Sequence, residues 1–256
     1  MSEHVRIERS DDVLAITLTR PTRRNALTVA MYSAIAEAME QVANDASVRV
    51  VTVRGEGSDF TAGNDLNDFL AALPRDSEDI PVWRLLRALA RNPVPLVAAV
   101  QGNAVGIGTT MLLHCDLVVA EKSARFSLPF VDLGLVPEAA SSLLLPRLAG
   151  RRRAARYLLL GESFGASEAG EFGLVSHVVP DGTAEQALAD VTGRLLSKPR
   201  EALRLTQGLL RRRSAEDVLE RMRAEGDLFS EKLRSAEVRQ AIAAFFQRKS
   251  SGGQAD

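Results

Sequence analysis

Residues 13–19 alternate, with Leu14, Ile16 and Leu18 on one side and Val13, Ala15 and Thr17 on the other. With Val5-Arg-Ile7 ahead of Asp11-Asp12, this pattern predicts an opening hairpin. The period then changes. Behind Thr28, a residue that can cap a helix, Met31, Ile35, Met39 and Val42 form one stripe, while Glu37, Glu40 and Gln41 lie away from it. Residues 48–54 read as the next strand and Trp83 to Leu89 as a short helix before Asn92-Pro93. Leu96 to Val100 is a Val-rich run suited to a strand buried on both faces. Leu117 to Ala120 is another strand. Helices are predicted from Ala139 to Leu148 and from Arg152 to Leu160, either side of Gly150. A short helix capped by Ser167 ends at Phe172-Gly173, and a strand after it closes the core. Strands alternating with helices imply βαβ units, parallel pairing and right-handed crossovers. From Thr183 only helices follow, at about residues 183–196, 199–212, 214–233 and 235–248. Residues 74–79 are polar and carry no predicted element; residues 250–256 read as an unstructured tail.

Two breaks in the pattern can carry chemistry. Gly102, Gly106 and Gly108 separate the strand ending at Val100 from an apolar run that resumes at Met111 with helical character. A strand, a glycine turn and a helix start leave backbone N–H groups unpaired where negative charge is favoured. Such a turn can hold a phosphate or a developing oxyanion. Glycines that only permit a tight turn fit it equally. The spacing matches neither G-x-G-x-x-G nor G-x-x-x-x-G-K-[ST], so a dinucleotide or P-loop site is disfavoured. The second break is Phe60-Thr-Ala-Gly-Asn-Asp-Leu66, which follows the strand Val50-Val-Thr-Val-Arg54 and offers another turn of small residues.

With both turns in view, the chain resembles the crotonase family, the enoyl-CoA hydratases and isomerases. Arg20-Pro-Thr-Arg-Arg-Asn-Ala-Leu27 is similar to that family's R-P-x-x-x-N-A-L segment and Phe60–Leu66 to its F-x-A-G-x-D-L loop. Gln101–Asp116 is similar to its x-G-x-A-x-G-x-G…C-D segment, Phe126–Pro137 to F-x-x-P-x-x-x-L-G-x-x-P, and Gly173–Pro180 to G-L-V-x-x-V-x-P. The resemblance implies an α/β fold: a crotonase-like ββα spiral core over residues 1–195, and a C-terminal helical region, 196–256, for trimerisation and pocket closure. It implies an acyl-CoA thioester substrate, no cofactor beyond the coenzyme A carried by that substrate, and a homotrimer or a hexamer built as a dimer of trimers. The thioester oxygen of an enolate would be held by the backbone N–H groups of Ala62 and Ile107. Substrate-binding positions would be Arg24, Ala26, Ala62, Asp65, Leu66, Gly106 and Phe130, although an ordinary exposed arginine fits Arg24 as well. Lys249 would meet the CoA phosphates, but the family's K-R-x-P-x-F ending is absent.

The same resemblance exposes a departure. Hydratases activate water between two glutamates, at positions matched here by Thr110 and Phe130, so neither carboxylate is present. Glu138, in Leu133-Gly-Leu-Val-Pro-Glu138, stands where the Δ3,Δ2-enoyl-CoA isomerases carry their catalytic glutamate. A helix-start carboxylate stabilised by the dipole is the plainer alternative for Glu138. Isomerisation of a 3-enoyl-CoA is therefore the leading expectation. Hydration of a 2-enoyl-CoA is the second, and a non-catalytic acyl-CoA-binding homologue the third. Asp65 and Asp116 read as hydrogen-bonding residues; Asp132 is left open, as the first substitute should hydration prove to be the activity.

Charge and composition remove other classes. A formal net charge of −1 gives no general attraction to nucleic acid or anionic membrane. The runs Arg151–Arg153 and Arg211–Arg213 are too short to change that. No run approaches the ~18 apolar residues of a membrane span. The polar start and the single Cys115 suit a cytoplasmic protein without internal disulfides. His4, His114 and His177 are scattered, which supports neither a metal site nor a Ser-His-Asp triad.

Overall fold

The computed structural model describes residues 3–10, 12–71, 80–211 and 215–251. Its strands are β1 (Val5–Ser10), β2 (Val13–Leu18), β3 (Val50–Gly55), β4 (Leu96–Val100), β5 (Asn103–Val105), β6 (Leu117–Glu121), β7 (Arg125–Ser127), β8 (Phe164–Gly165) and β9 (His177–Val179). Six of them form one sheet in the order β1-β2-β3-β4-β6-β9. The opening hairpin β1–β2 is antiparallel, and every other neighbour in that sheet is parallel.

A smaller layer, β5-β7-β8, is extended by two isolated pairings, Thr61 with Ala104 and Leu27 with Asn64. After β2, β3, β4 and β6 the chain thus lays one short segment in this second layer before it turns toward a helix. The expected ββα repeat follows from that alternation. The helices are α1 (Val29–Val42), α2 (Leu66–Ala71), α3 (Pro81–Arg91), α4 (Ile107–Thr110), α5 (Ser141–Ala149), α6 (Arg151–Leu159) and α7 (Ala166–Glu171), then α8 (Ala184–Leu196), α9 (Arg200–Arg211), α10 (Ala215–Leu233) and α11 (Ala236–Ser251).

The continuous Val-rich runs are explained by burial on both faces. Leu96, Ala98 and Val100 of β4 face one core with Ile16, Leu18 and the α1 stripe Met31, Ile35, Met39 and Val42. Val97 and Ala99 face the other, where Val50 and Val119 meet Ala184, Leu188 and Val191 of α8. Thr28 caps α1 as its position suggests, its side chain accepting from the Met31 N–H at 3.3 Å. The outermost strand β1 buries only Val5 and carries Arg6, Glu8 and Arg9 along its free edge, which discourages further pairing.

Several boundaries differ from expectation. The helix after the glycine turn starts at Ile107 rather than Met111, and continues as a 3-10 turn, Met111–His114. α5 starts at Ser141, because Ala139 and Ala140 adopt the left-handed conformation. Ser167 does not cap α7, whose N-cap position is Gly165 without a side-chain hydrogen bond. α11 runs through Ser251 into the segment read as a tail. Residues 74–79 and 252–256 lie outside the described residues.

The C-terminal helices return to the core. Asp116, at the start of β6, accepts from Gln207 at 2.9 Å and from Arg211 at 3.0 Å, which fastens α9. Val218, Met222, Phe229 and Leu233 of α10 and Val238 and Ile242 of α11 are buried. Among the described residues, no helix is long and apolar enough to cross a membrane.

Candidate active site

The two glycine-bearing turns lie against each other. A Cβ on Gly63 would stand 2.7 Å from the Val105 carbonyl oxygen, and one on Gly108 would stand 2.5 Å from the Thr61 methyl carbon. Such separations exclude any side chain, so glycine at these positions is what lets the turn after β3 meet the turn after β5.

Accounting for the backbone donors there identifies which N–H groups are free. On the second turn, Gly106 N–H donates to Ser127, while Thr109 and Thr110 N–H both donate to Gly106. Ile107, the first residue of α4, has no intrahelical acceptor, and among the described residues its N–H meets none elsewhere. On the first turn the expected donor is corrected. Ala62 N–H donates to the Arg24 carbonyl at 2.8 Å and is not free. Gly63 N–H is held by the Thr61 hydroxyl at 3.1 Å, and Asp65 N–H by the Leu27 carbonyl at 2.9 Å. Between them, Asn64 N–H is without an acceptor among the described residues, because in its parallel pairing with Leu27 only the flanking groups are used. Asn64 therefore replaces Ala62 as the partner of Ile107. The loop motif locates this turn, but only the pairing with Leu27 tells which of its amides is spare. The Asn64 side chain is also fixed, its Oδ1 accepting from the Tyr32 hydroxyl at 2.5 Å.

Glu138 lies in the segment leading to α5. It is only 6 % exposed, and its Oε1 has no hydrogen-bond partner among the described residues. Burial, followed by the nearby charge of Glu225, pushes its carboxyl up from 4.5 to about 8. Tyr32 lies within electrostatic reach: burial, then the charge of Glu138, raises its phenol well above its usual 10. Tyr32 thus touches Asn64 and senses Glu138, which brings the first turn and the carboxyl into one site. The sequence reading missed Tyr32, Asn64 and Glu225, and also missed His114 as a member of the site. The buried His114 ring donates from Nε2 to the Ala139 carbonyl at 2.8 Å, and desolvation lowers its pKa to about 4, so it is neutral at pH 7.

The remaining expected residues divide. Phe130 and Leu135 are buried and apolar, and Thr110 is fully buried with its hydroxyl turned to the Ile107 carbonyl at 3.5 Å. Gly106 makes the turn before Ile107. Arg24 is exposed, and Ala26 is half-buried. Asp65 accepts from Arg20 at 2.8 Å and from the Asn67 N–H at the start of α2 at 3.2 Å, the hydrogen-bonding role read for it from sequence. Leu66 opens α2 and packs on the main core. Asp132 is exposed, its carboxylate against the Gly161 backbone. Lys249 lies in α11, but its side chain is outside those described. Among the described residues, no group of three or more His, Cys, Asp or Glu side chains is placed to hold a metal ion.

The family model for enoyl-CoA hydratase/isomerase matches residues 8–252. The chain belongs to the enoyl-CoA hydratase/isomerase family. Its relatives within that family carry different activities. It is 34% identical over 244 residues to the 1,2-epoxyphenylacetyl-CoA isomerase of Escherichia coli (strain K12), with 93% of each chain covered. It is 35% identical over 254 residues to the 2,3-dehydroadipyl-CoA hydratase of the same organism, with 97% of each covered. Among solved structures, Pseudomonas aeruginosa OdaA superposes with a TM-score of 0.92 at 43% identity, covering 95% of this chain and 99% of that one. The fold is thus that of the enoyl-CoA hydratase/isomerase family.

Proposed function

We propose that this protein is an enoyl-CoA isomerase, moving a double bond from C3–C4 to C2–C3 of an acyl-CoA thioester. One observation carries the reading: Glu138 is a buried carboxyl with an oxygen unpartnered among the described residues and a pKa near 8, grouped with Asn64 through Tyr32, where no second carboxylate stands at Thr110 or Phe130. In this scheme the N–H groups of Asn64 and Ile107 bind the thioester oxygen. The Glu138 carboxylate takes a proton from C2, and electron density moves to the oxygen as an enolate. The carboxylic acid then returns its proton to C4 as the double bond settles at C2–C3. Fixed backbone donors need little reorganisation when charge develops, and one such contact lowers the barrier by about 3 kcal/mol. A raised pKa suits a group that must accept and release a proton in one cycle.

Hydration would need groups to hold water on the substrate face. Asp132, the first substitute, is exposed and turned to Gly161 rather than grouped with Glu138. We further propose a trimer, or a hexamer made from two, supported by Leu205, Leu209 and Leu210 on α9 and Leu228 on α10, all more than half exposed. The functional test is a side-by-side absorbance assay of 3-enoyl-CoA and 2-enoyl-CoA. The wild type is expected to convert 3-enoyl-CoA, and Glu138→Gln to lose at least ~10²-fold in kcat while still binding acyl-CoA. Rapid hydration of 2-enoyl-CoA without isomerisation would overturn the reading in favour of a hydratase, and no turnover of either would favour a binding protein.

A further inference from the structure

Glu138 is followed by two alanines in the left-handed region, Ala139 at φ 59° and Ala140 at φ 58°. Non-glycine residues rarely adopt that conformation, so surrounding contacts must impose it. Both contacts fall on a single peptide group. His114 Nε2–H donates to the carbonyl of Ala139, and the N–H of Ala140 donates to Glu225 Oε2 at 2.6 Å. The other Glu225 oxygen accepts from the Ser142 N–H at 2.9 Å and the Ser142 hydroxyl at 2.5 Å. α5 has no side-chain cap of its own, so a carboxylate from α10 supplies one.

Glu225 is itself buried, 5 % exposed, on a helix held on both sides of it. Met222 and Phe229 are in the core, and Gly226 lies so close beneath the Trp83 ring of α3 that a Cβ there would overlap it. A carboxylate carried so rigidly and spent wholly on residues 140 and 142 has a specific consequence for its neighbour. We propose that Glu225 is a positioning residue for the proton shuttle: together with His114 it fixes the Ala139–Ala140 peptide, one residue beyond Glu138, and so sets the direction of the Glu138 carboxyl.

The inference rests on the isomerase reading for its effect on turnover, but not for its effect on Glu138 itself. Two titratable groups reach Glu138 from other elements, Tyr32 on α1 and Glu225 on α10; His114 on the 3-10 turn holds the carbonyl of the next residue, Ala139, and Arg221 faces Glu225 from one turn earlier on α10. Tyr32 and His114 are neutral at pH 7, which leaves Glu225 as the charge that adds to burial in holding the Glu138 proton.

Full-length Glu225→Gln and Glu225→Asp are compared with wild type and Glu138→Gln. The readouts are circular dichroism for folding, the pH midpoint of the infrared band of the protonated Glu138 carboxyl (assigned by its loss in Glu138→Gln), and kcat and KM on 3-enoyl-CoA. In folded Glu225→Gln the midpoint is expected to fall by about half a pH unit or more. Its kcat is expected to fall about tenfold or more with KM little changed, as misdirection of a reacting group requires. Glu225→Asp keeps the charge on a shorter arm, so its midpoint stays raised while kcat is still reduced. Wild-type kcat in folded Glu225→Gln overturns the proposal, as does wild-type kcat in Glu225→Asp if the Gln variant does not fold. If wild type itself turns over no 3-enoyl-CoA, the isomerase reading fails alone. The infrared midpoint then decides: an unchanged midpoint in the Gln variant overturns the proposal, and a lowered one upholds the contact.

Discussion

Burial of the Glu138 carboxyl has opposite consequences for activity and for stability. The proposed isomerisation needs the carboxylate, so kcat/KM for 3-enoyl-CoA is expected to rise with pH and level off above about 8, where the group ionises. Stability runs the other way. The folded state keeps the proton that the unfolded chain releases from about 4.5 upward, so folding loses stability as pH rises from there to about 8. Glu138→Gln has no proton to release, and its gain in stability over wild type should therefore be larger at pH 8 than at pH 5 in denaturant melts. Unequal legibility is plainest at this scale. Glu138 could be named a candidate from sequence because a motif position and a residue type coincide. Asn64 could not be, because Ala62 and Asn64 lie in the same loop, and it is the folded pairing of this loop with Leu27 and Arg24 that uses the Ala62 N–H and leaves that of Asn64 spare. Glu225 gave no local signal at all; its role comes from α10 folding back onto residues far away in the chain.

At the scale of elements, the site depends on two turns packed without side chains between them. Gly63 has φ +84° and faces the Val105 carbonyl, so Gly63→Ala meets both backbone strain and a clash. A loss of roughly 1–3 kcal/mol is expected from thermal or denaturant unfolding, with kcat reduced more than KM is raised. Unchanged kcat in that variant would mean that the spacing of the two turns does not matter to the reaction. Elements with strong periodicity were legible: the α1 stripe, the hairpin, and the strands with apolar runs on both faces. The starts of α4 and α5 were not, since they are set by a backbone turn at Gly106 and by the left-handed pair Ala139–Ala140, which tertiary contacts impose.

For the whole molecule, the C-terminal helices have two kinds of apolar residue. Val238 and Ile242 of α11 are buried within the chain, Val238 against Gly134 in the turn that leads to Glu138. Leu205, Leu209 and Leu210 of α9 stand out from it. Leu209→Lys should therefore weaken assembly while leaving the monomer folded, seen as a smaller species in analytical ultracentrifugation; a wild-type monomer at micromolar concentration would remove the oligomer proposal. The overall architecture was legible because five motifs occur in one order along the chain, whereas the proposed reaction rests on a few side chains brought together by it. That reaction is tested most directly by following the proton. With 3-enoyl-CoA deuterated at C2, analysed by NMR after a single turnover in ordinary water, the account predicts deuterium at C4 of the 2-enoyl product, carried there by the Glu138 carboxyl. A product with only solvent hydrogen at C4, or a 3-hydroxyacyl-CoA in its place, would contradict a single shuttling carboxylate.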